Sequence, residues 1–171
     1  VSVKVDGDKV KPISEHLIGI FFEDINYAAD GGLYAELVQN RDFEYSSQDH
    51  RNWNSQYAWS VKNGNAVFTI AEENPIHANN PHYAVLDIQQ PGASLVNTGF
   101  DGIAVKKGEK YDFSFFGKML QGKGGKVKVA LVNKEGKEIG QTIVKVTAVD
   151  WKKQKAVMSV TEDAADATLA V

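Results

Sequence analysis

Adjacent carboxylates at Glu23 and Asp24 follow directly on the apolar run of residues 17–22. At the C-terminal end of a buried strand such groups are placed to move protons or bind hydroxyls. Neighbours on a continuing strand point to opposite faces, so these two cannot serve as an acid and nucleophile pair. On local sequence alone the simpler reading is a solvated loop acid or a cap for the segment that follows. A second group, Tyr45, His50, Trp53 and Tyr57, lies in and around the polar stretch 46–56, which is too hydrophilic to be core. Aromatic faces stack on the apolar side of a sugar ring while flanking amides and carboxylates bond its hydroxyls, and Trp53, Tyr57 and Tyr45 are candidates for that task. Trp59, Phe113, Phe115 and Trp151 alternate within strand patterns and read as core. His16, His50, His77 and His82 show no i, i+4 pairing and there is no cysteine, so a zinc site has no support. The glycine-rich stretch 122–125 lacks the Lys-Ser/Thr of a phosphate loop and reads as a hairpin turn.

The elements that must hold these residues fall into two parts. Residues 1–42 predict a short hairpin over the first dozen residues, a strand at 17–22 covered on both faces, an acidic loop, and a short helix at 33–38. From Phe43 to Val171 the pattern becomes β throughout. Strands are predicted at 58–62, 66–71, 83–88, 94–98, 111–119, 127–132, 143–149, 155–160 and 167–171, separated by Gly, Asn, Pro and Lys-Gly turns. That spacing predicts an antiparallel β-sandwich or jelly roll. The last strand pattern runs to Val171, so a missing or shortened final strand is expected.

With 171 residues, 43% hydrophobic and 24% charged, the chain can bury one good core and a small appendage. A (β/α)₈ barrel needs roughly 200 residues or more and does not fit. The net charge of -3, with no basic stripe, argues against nucleic-acid binding. No apolar run approaches the roughly 18 residues of a membrane span.

The run Gly19-Ile20-Phe21-Phe22-Glu23-Asp24-Ile25-Asn26, continuing through Asp30-Gly31-Gly32-Leu33-Tyr34-Ala35-Glu36-Leu37-Val38-Gln39-Asn40-Arg41-Asp42-Phe43-Glu44, resembles the amino-terminal signature of α-L-arabinofuranosidases of glycoside hydrolase family 51. The resemblance covers residues 13–45 closely and the sandwich more loosely. It implies that residues 1–42 hold the first β/α segment of a (β/α)₈ barrel whose remainder is missing from this chain. It further implies that Glu23 and Asn26 contact an arabinofuranosyl unit. The acid/base and nucleophile of this retaining chemistry, roughly 5 Å apart, would come from later barrel strands, leaving this chain alone without the catalytic pair. Arabinan and arabinoxylan are the implied polymers, and a polymer substrate implies export.

Residues 37–44, with Trp59-Ser60-Val61 and Tyr111 to Ser114, are similar to carbohydrate-binding modules with a galactose-binding-like jelly roll. That similarity makes Glu44 a candidate for one ligand of a structural calcium, with a partly exposed edge carboxylate as the alternative. No other cofactor is expected. For the sandwich three roles stand open: an accessory part of a hydrolase, a free-standing glycan-binding module, and a structural spacer that touches no glycan.

Overall fold

The computed structural model describes residues 1–8, 10–21, 23, 27–122 and 124–171. Ten strands run among the described residues: β1 (Trp59–Lys62), β2 (Ala66–Ala71), β3 (Tyr83–Ile88), β4 (Ser94–Asn97), β5 (Ile103–Val105), β6 (Lys110–Gly117), β7 (Gly125–Val132), β8 (Glu138–Val146), β9 (Lys152–Ser159) and β10 (Ala164–Ala170). One sheet has the order β1-β4-β10-β7-β8, with β5 also on β10, and two antiparallel pairs, β2-β3 and β6-β9, complete the set. The expected antiparallel sandwich is therefore the observed one. Nine strands fall within a few residues of their expected places except at the start of β8, and the three-residue β5 is the one that the sequence pattern was too short to reveal.

The core explains why the strands alternate as they do. On β6, Tyr111, Phe113 and Phe115 face inward while Lys110, Asp112, Ser114 and Phe116 face out. Register pairs Tyr111 with Met158 and Phe113 with Ala156, so both strands offer one apolar face. That face closes on Val129, Leu131, Ile139, Val144, Ala167 and Leu169 of the large sheet, with Ile103 and Val105 alongside. The final strand is central: β10 pairs with β4, β5 and β7, and Val171 exchanges backbone hydrogen bonds with Leu95 at 2.8 and 2.9 Å.

The first part of the chain departs from expectation. Among the described residues neither the hairpin over the first dozen positions nor a strand at 17–21 forms, and Leu17, Ile20 and Phe21 are 67%, 92% and 87% exposed; Phe22 lies outside the described residues. A strand exists only where neighbours take up its backbone N–H and C=O groups, and no sheet partner stands beside this run among the described residues. The helix expected at 33–38 is also absent. In its place is a π-type turn at Ala29–Leu33, interrupted by extended Asp30 (ψ 130°) and left-handed Gly31 (φ 81°). Gly31 is required there twice over, since a Cβ would also lie 2.8 Å from the Phe100 ring. Ala35 then turns left-handed at φ 49°, the Glu36 carboxylate accepts from the Val38 N–H at 2.9 Å, and Gln39 bonds to the sheet. Local side-chain bonds and tertiary pairing have taken the backbone groups that a helix would use. Among the described residues the β/α unit is thus not formed, and the fold is nearly all β.

Leu169, 2% exposed in the central strand, is set to cost about 2–5 kcal/mol when cut to alanine, because a cavity opens between the layers. Ile143→Ala, at 61% exposure on β8, changes stability by less than about 0.5 kcal/mol. Urea unfolding midpoints of the two variants read the contrast; equal losses would mean that the core lies elsewhere.

Candidate functional site

Two consecutive residues, Gln39 and Asn40, fasten the irregular segment 37–58 to the sandwich. Asn97, fully buried at the end of β4, accepts the N–H of Gln39 at 3.2 Å and of Gly99 at 2.9 Å, and its amide donates to the Gln39 carbonyl at 2.9 Å. Asn40, 2% exposed and left-handed at φ 51°, then directs its amide at three carbonyls, Asn54 (3.4 Å), Ser55 (3.1 Å) and Tyr57 (3.0 Å). Its side-chain oxygen accepts the Tyr45 N–H at 3.2 Å, and its carbonyl accepts the Trp59 indole N–H at 2.9 Å. Asparagine tolerates the left-handed region and offers donor and acceptor on one short side chain, which suits it to this place. Phe43, 5.4 Å from Trp59 and 6.5 Å from Phe68 between ring centres, fills the space beneath.

The loop so held brings together the three aromatic residues expected to meet a glycan. Tyr45 and Trp53 are stacked with ring centres 4.0 Å apart and planes 20° apart. Tyr57 lies 6.1 Å from Tyr45 and 5.9 Å from Trp53, and His50 lies 5.4 Å from Trp53. Tyr45, Trp53 and Tyr57 are half-buried; burial pushes the Tyr45 phenol above its ordinary value. The result is a contiguous aromatic surface on a polar rim, with its chemistry limited to stacking and hydrogen bonding. Glu23 is exposed on irregular chain, and Asn26 lies outside the described residues. Trp151, expected in the core, is instead half-exposed just before β9, where its indole N–H reaches the Asn74 carbonyl at 3.0 Å; a turn position gives this amphipathic ring the polar partner that a core would deny it.

Glu44 forms a compact ionic staple. One carboxylate oxygen accepts the His82 backbone N–H at 3.0 Å and the Asn80 amide at 2.8 Å; the other meets His82 Nδ1 at 2.5 Å. The far ring nitrogen of His82 lies 3.1 Å from Glu72, just after β2. The Asn80 amide also donates to the carbonyls of Asp42 at 2.9 Å and His82 at 3.3 Å. Burial alone would raise the Glu44 carboxyl, but the His82 backbone and ring and the Asn80 amide together hold it below its ordinary value. The Glu44 hydrogen bond raises the His82 imidazole, against partial burial and with help from the charges of Glu44 and Glu72. A calcium ion needs several oxygens converging on one point, whereas both Glu44 oxygens here face N–H donors. Among the described residues no group of three acidic or histidine side chains is placed to hold a metal. The surroundings of Glu44 therefore do not fit the ion that the similarity implied.

The family model for a carbohydrate binding domain matches residues 35–171. The chain belongs to that family. Among proteins similar to it are an extracellular exo-α-L-arabinofuranosidase of Streptomyces chartreusis, 37% identical over 99% of this chain and 20% of the relative, and α-L-arabinofuranosidase 1 of Arabidopsis thaliana, 31% identical over 68% and 18%. An arabinose-bound MgGH51 α-L-arabinofuranosidase superposes with a TM-score of 0.73 at 26% identity, covering 87% of this chain and 25% of that one. The chain spans about a fifth of the length of the curated relatives it matches. As a member of the carbohydrate-binding domain family it carries a sandwich whose aromatic loop and Glu44 staple both lie within the matched span. None of its helices is long and apolar enough to cross a membrane, among the described residues.

The staple has two pH limits. The Glu44 contribution, from a lowered carboxyl, is complete above the ordinary carboxylate value and is lost as pH falls through the folded one. The His82 contribution, from a raised imidazole, is complete below the ordinary imidazole value and is lost as pH rises through the folded one. Stability is therefore expected to be greatest between about pH 4.3 and about pH 6.5, with His82→Gln removing the alkaline decline selectively. Urea midpoints taken across pH check this, and an alkaline limb that survives in His82→Gln rejects the assignment.

Proposed function

We propose that this chain is the carbohydrate-binding-type accessory sandwich of an α-L-arabinofuranosidase, and that the surface built from Tyr45, Trp53 and Tyr57 meets plant polysaccharide. The single observation that carries the reading is the stacked, half-exposed Tyr45–Trp53 pair on a loop held rigid by Asn40. An aromatic plate already fixed in place loses little conformational freedom when a sugar settles on it. Family membership and the resemblance at residues 13–45 support the same reading, with arabinan and arabinoxylan as the polymers and an exported location. In this reading the retaining acid and nucleophile belong to a barrel outside residues 1–171, and Glu23 and Asn26 join the sugar site when residues 17–22 pair as a barrel strand. A structural spacer is the second reading, favoured by the fact that Tyr45 already covers one face of Trp53.

Calorimetric titration of this chain with arabinan and arabinoxylan separates the two. Binding that Trp53→Ala weakens about tenfold, roughly 1.4 kcal/mol, supports the glycan surface. Silence on both polymers leaves the spacer.

In the longer enzyme Glu23→Ala is expected to lower turnover of an aryl arabinofuranoside by about ten- to a hundredfold, the loss of one charged hydrogen bond that tightens in the transition state, while the melting temperature stays put. Unchanged kinetics would remove Glu23 from the sugar site.

A further inference from the structure

The residues around Trp151 form a cleft of about 460 Å³ lined by Asn74, Pro75, Lys118, Val149, Asp150 and Trp151. We propose that this cleft is a second glycan-contact site, taking one neutral sugar unit; the inference rests on the reading of the sandwich as glycan-binding. The volume lies inside the range of about 300–1,000 Å³ typical of small-molecule sites. Its polar groups are fixed before any ligand arrives. The Lys118 ammonium sits 4.4 Å from the centre of the Trp151 ring and 4.9 Å from that of Tyr83, and donates to the Asn74 carbonyl at 3.0 Å. The Trp151 indole N–H donates to the same carbonyl at 3.0 Å. Tyr83 meets Trp151 edge-on at 5.0 Å and 87°, and its hydroxyl donates to the Glu73 carbonyl at 2.7 Å. The turn at residues 73–75, the start of β3, the end of β6 and the start of β9 are thus locked together by one cation and two rings.

A hydroxylated ring suits this lining. The remaining accessible surface of Trp151, with Pro75 and Val149, offers apolar area for C–H groups. Lys118 retains donors beyond the one given to Asn74, and the Asp150 carboxylate accepts, so hydroxyls find both kinds of partner. The pairing of one cation with one anion in the lining also sets the charge class. A uronic acid or phosphate drawn to Lys118 would meet Asp150 in the same cleft, whereas a neutral sugar meets no like charge. A site here, lined by residues other than the Tyr45, Trp53 and Tyr57 surface, would let one sandwich grip a polymer at two places.

The three tryptophans give each place its own reporter. The indole N–H signals of the ¹⁵N-labelled chain are followed during titration with α-1,5-arabinohexaose, and assigned by single substitution. The expected result is a saturable shift of the Trp151 signal that Trp53→Ala leaves intact and Lys118→Met weakens about tenfold. A shift of Trp53 with a still Trp151 overturns the second site and leaves the proposed function standing. Movement of Trp151 alone supports the second site and overturns the Trp53 surface, and movement of neither overturns both. Glucuronate that shifts Trp151 more strongly than methyl α-L-arabinofuranoside would overturn the neutral class, and an undiminished shift in Lys118→Met would overturn the site as drawn.

Discussion

Two buried side-chain amides, Asn97 and Asn40, set the geometry on which the rest of the described site depends. Both are nearly inaccessible to water, so an unmade hydrogen bond at either would cost about 1–3 kcal/mol. Asn97 belongs to a strand and Asn40 to irregular chain, and the link between them is a single residue, Gln39, held through both its backbone groups. The regular sheet thereby dictates where Asn40 stands. Asn40 in turn dictates the path of residues 54–57 and 45, because three carbonyls and one N–H converge on its amide. The aromatic surface is ordered by polar bonds made behind it as well as by contacts among its own rings.

The same segment is also where the chain changes character. Gln39 bonds through both backbone groups to Asn97 of the sandwich, and the chain that follows is closed largely by its own local turns, while the apolar side chains of residues 17–21 face solvent. Leu37 and Val38 still reach the core cluster, and Tyr27 packs 5.0 Å from Phe100, so the segment between is tied at intervals. Arg41 adds a charged tie, bonding Asp30 at 3.1 Å. A concentration of exposed aliphatic and aromatic groups on one stretch, beside a well-packed sandwich, is the composition of a surface that expects cover.

How much of this the sequence disclosed depended on whether a residue's role was periodic. Tyr111, Phe113 and Phe115 alternate with polar neighbours over eight residues, and a period of two is legible without knowing the partner strand. Ile103 to Val105 is too short to show any period, so β5 was invisible although Ile103 is among the most buried side chains. Residues 33–38 failed in the opposite sense: good helix formers were overruled by Glu36, Asn97 and the left-handed Ala35. The aromatic surface was half legible, since Trp53 and Tyr57 advertise themselves by lying in polar surroundings. Asn40, Asn80, His82 and Asn97 were not, because an isolated amide or imidazole carries no local mark of burial, and their partners lie up to 58 residues away. Trp151 was misplaced because it reads as part of an alternating strand pattern but lies just before the true start of β9 at Lys152.

The staple at Glu44 shows how a loop can be fixed where a metal ion would otherwise serve. Three oxygens, from Asp42, Glu44 and His82, gather around the Asn80 amide nitrogen. A cation in that position would draw the same oxygens together by charge alone, and would require more of them. The amide has only two hydrogens to divide among the three, so the geometry is completed by His82, whose ring is bracketed by Glu44 and Glu72. Hydrogen bonds to a charged carboxylate are directional, and they join the chain entering the aromatic loop to the ends of β2 and β3. The compensating feature is titration: an ion held by carboxylates and carbonyls tolerates neutral and alkaline conditions, whereas an imidazole donates to both Glu44 and Glu72 only while the ring keeps its second proton. Rigidity of the loop and the acidity of its surroundings are therefore coupled through one histidine.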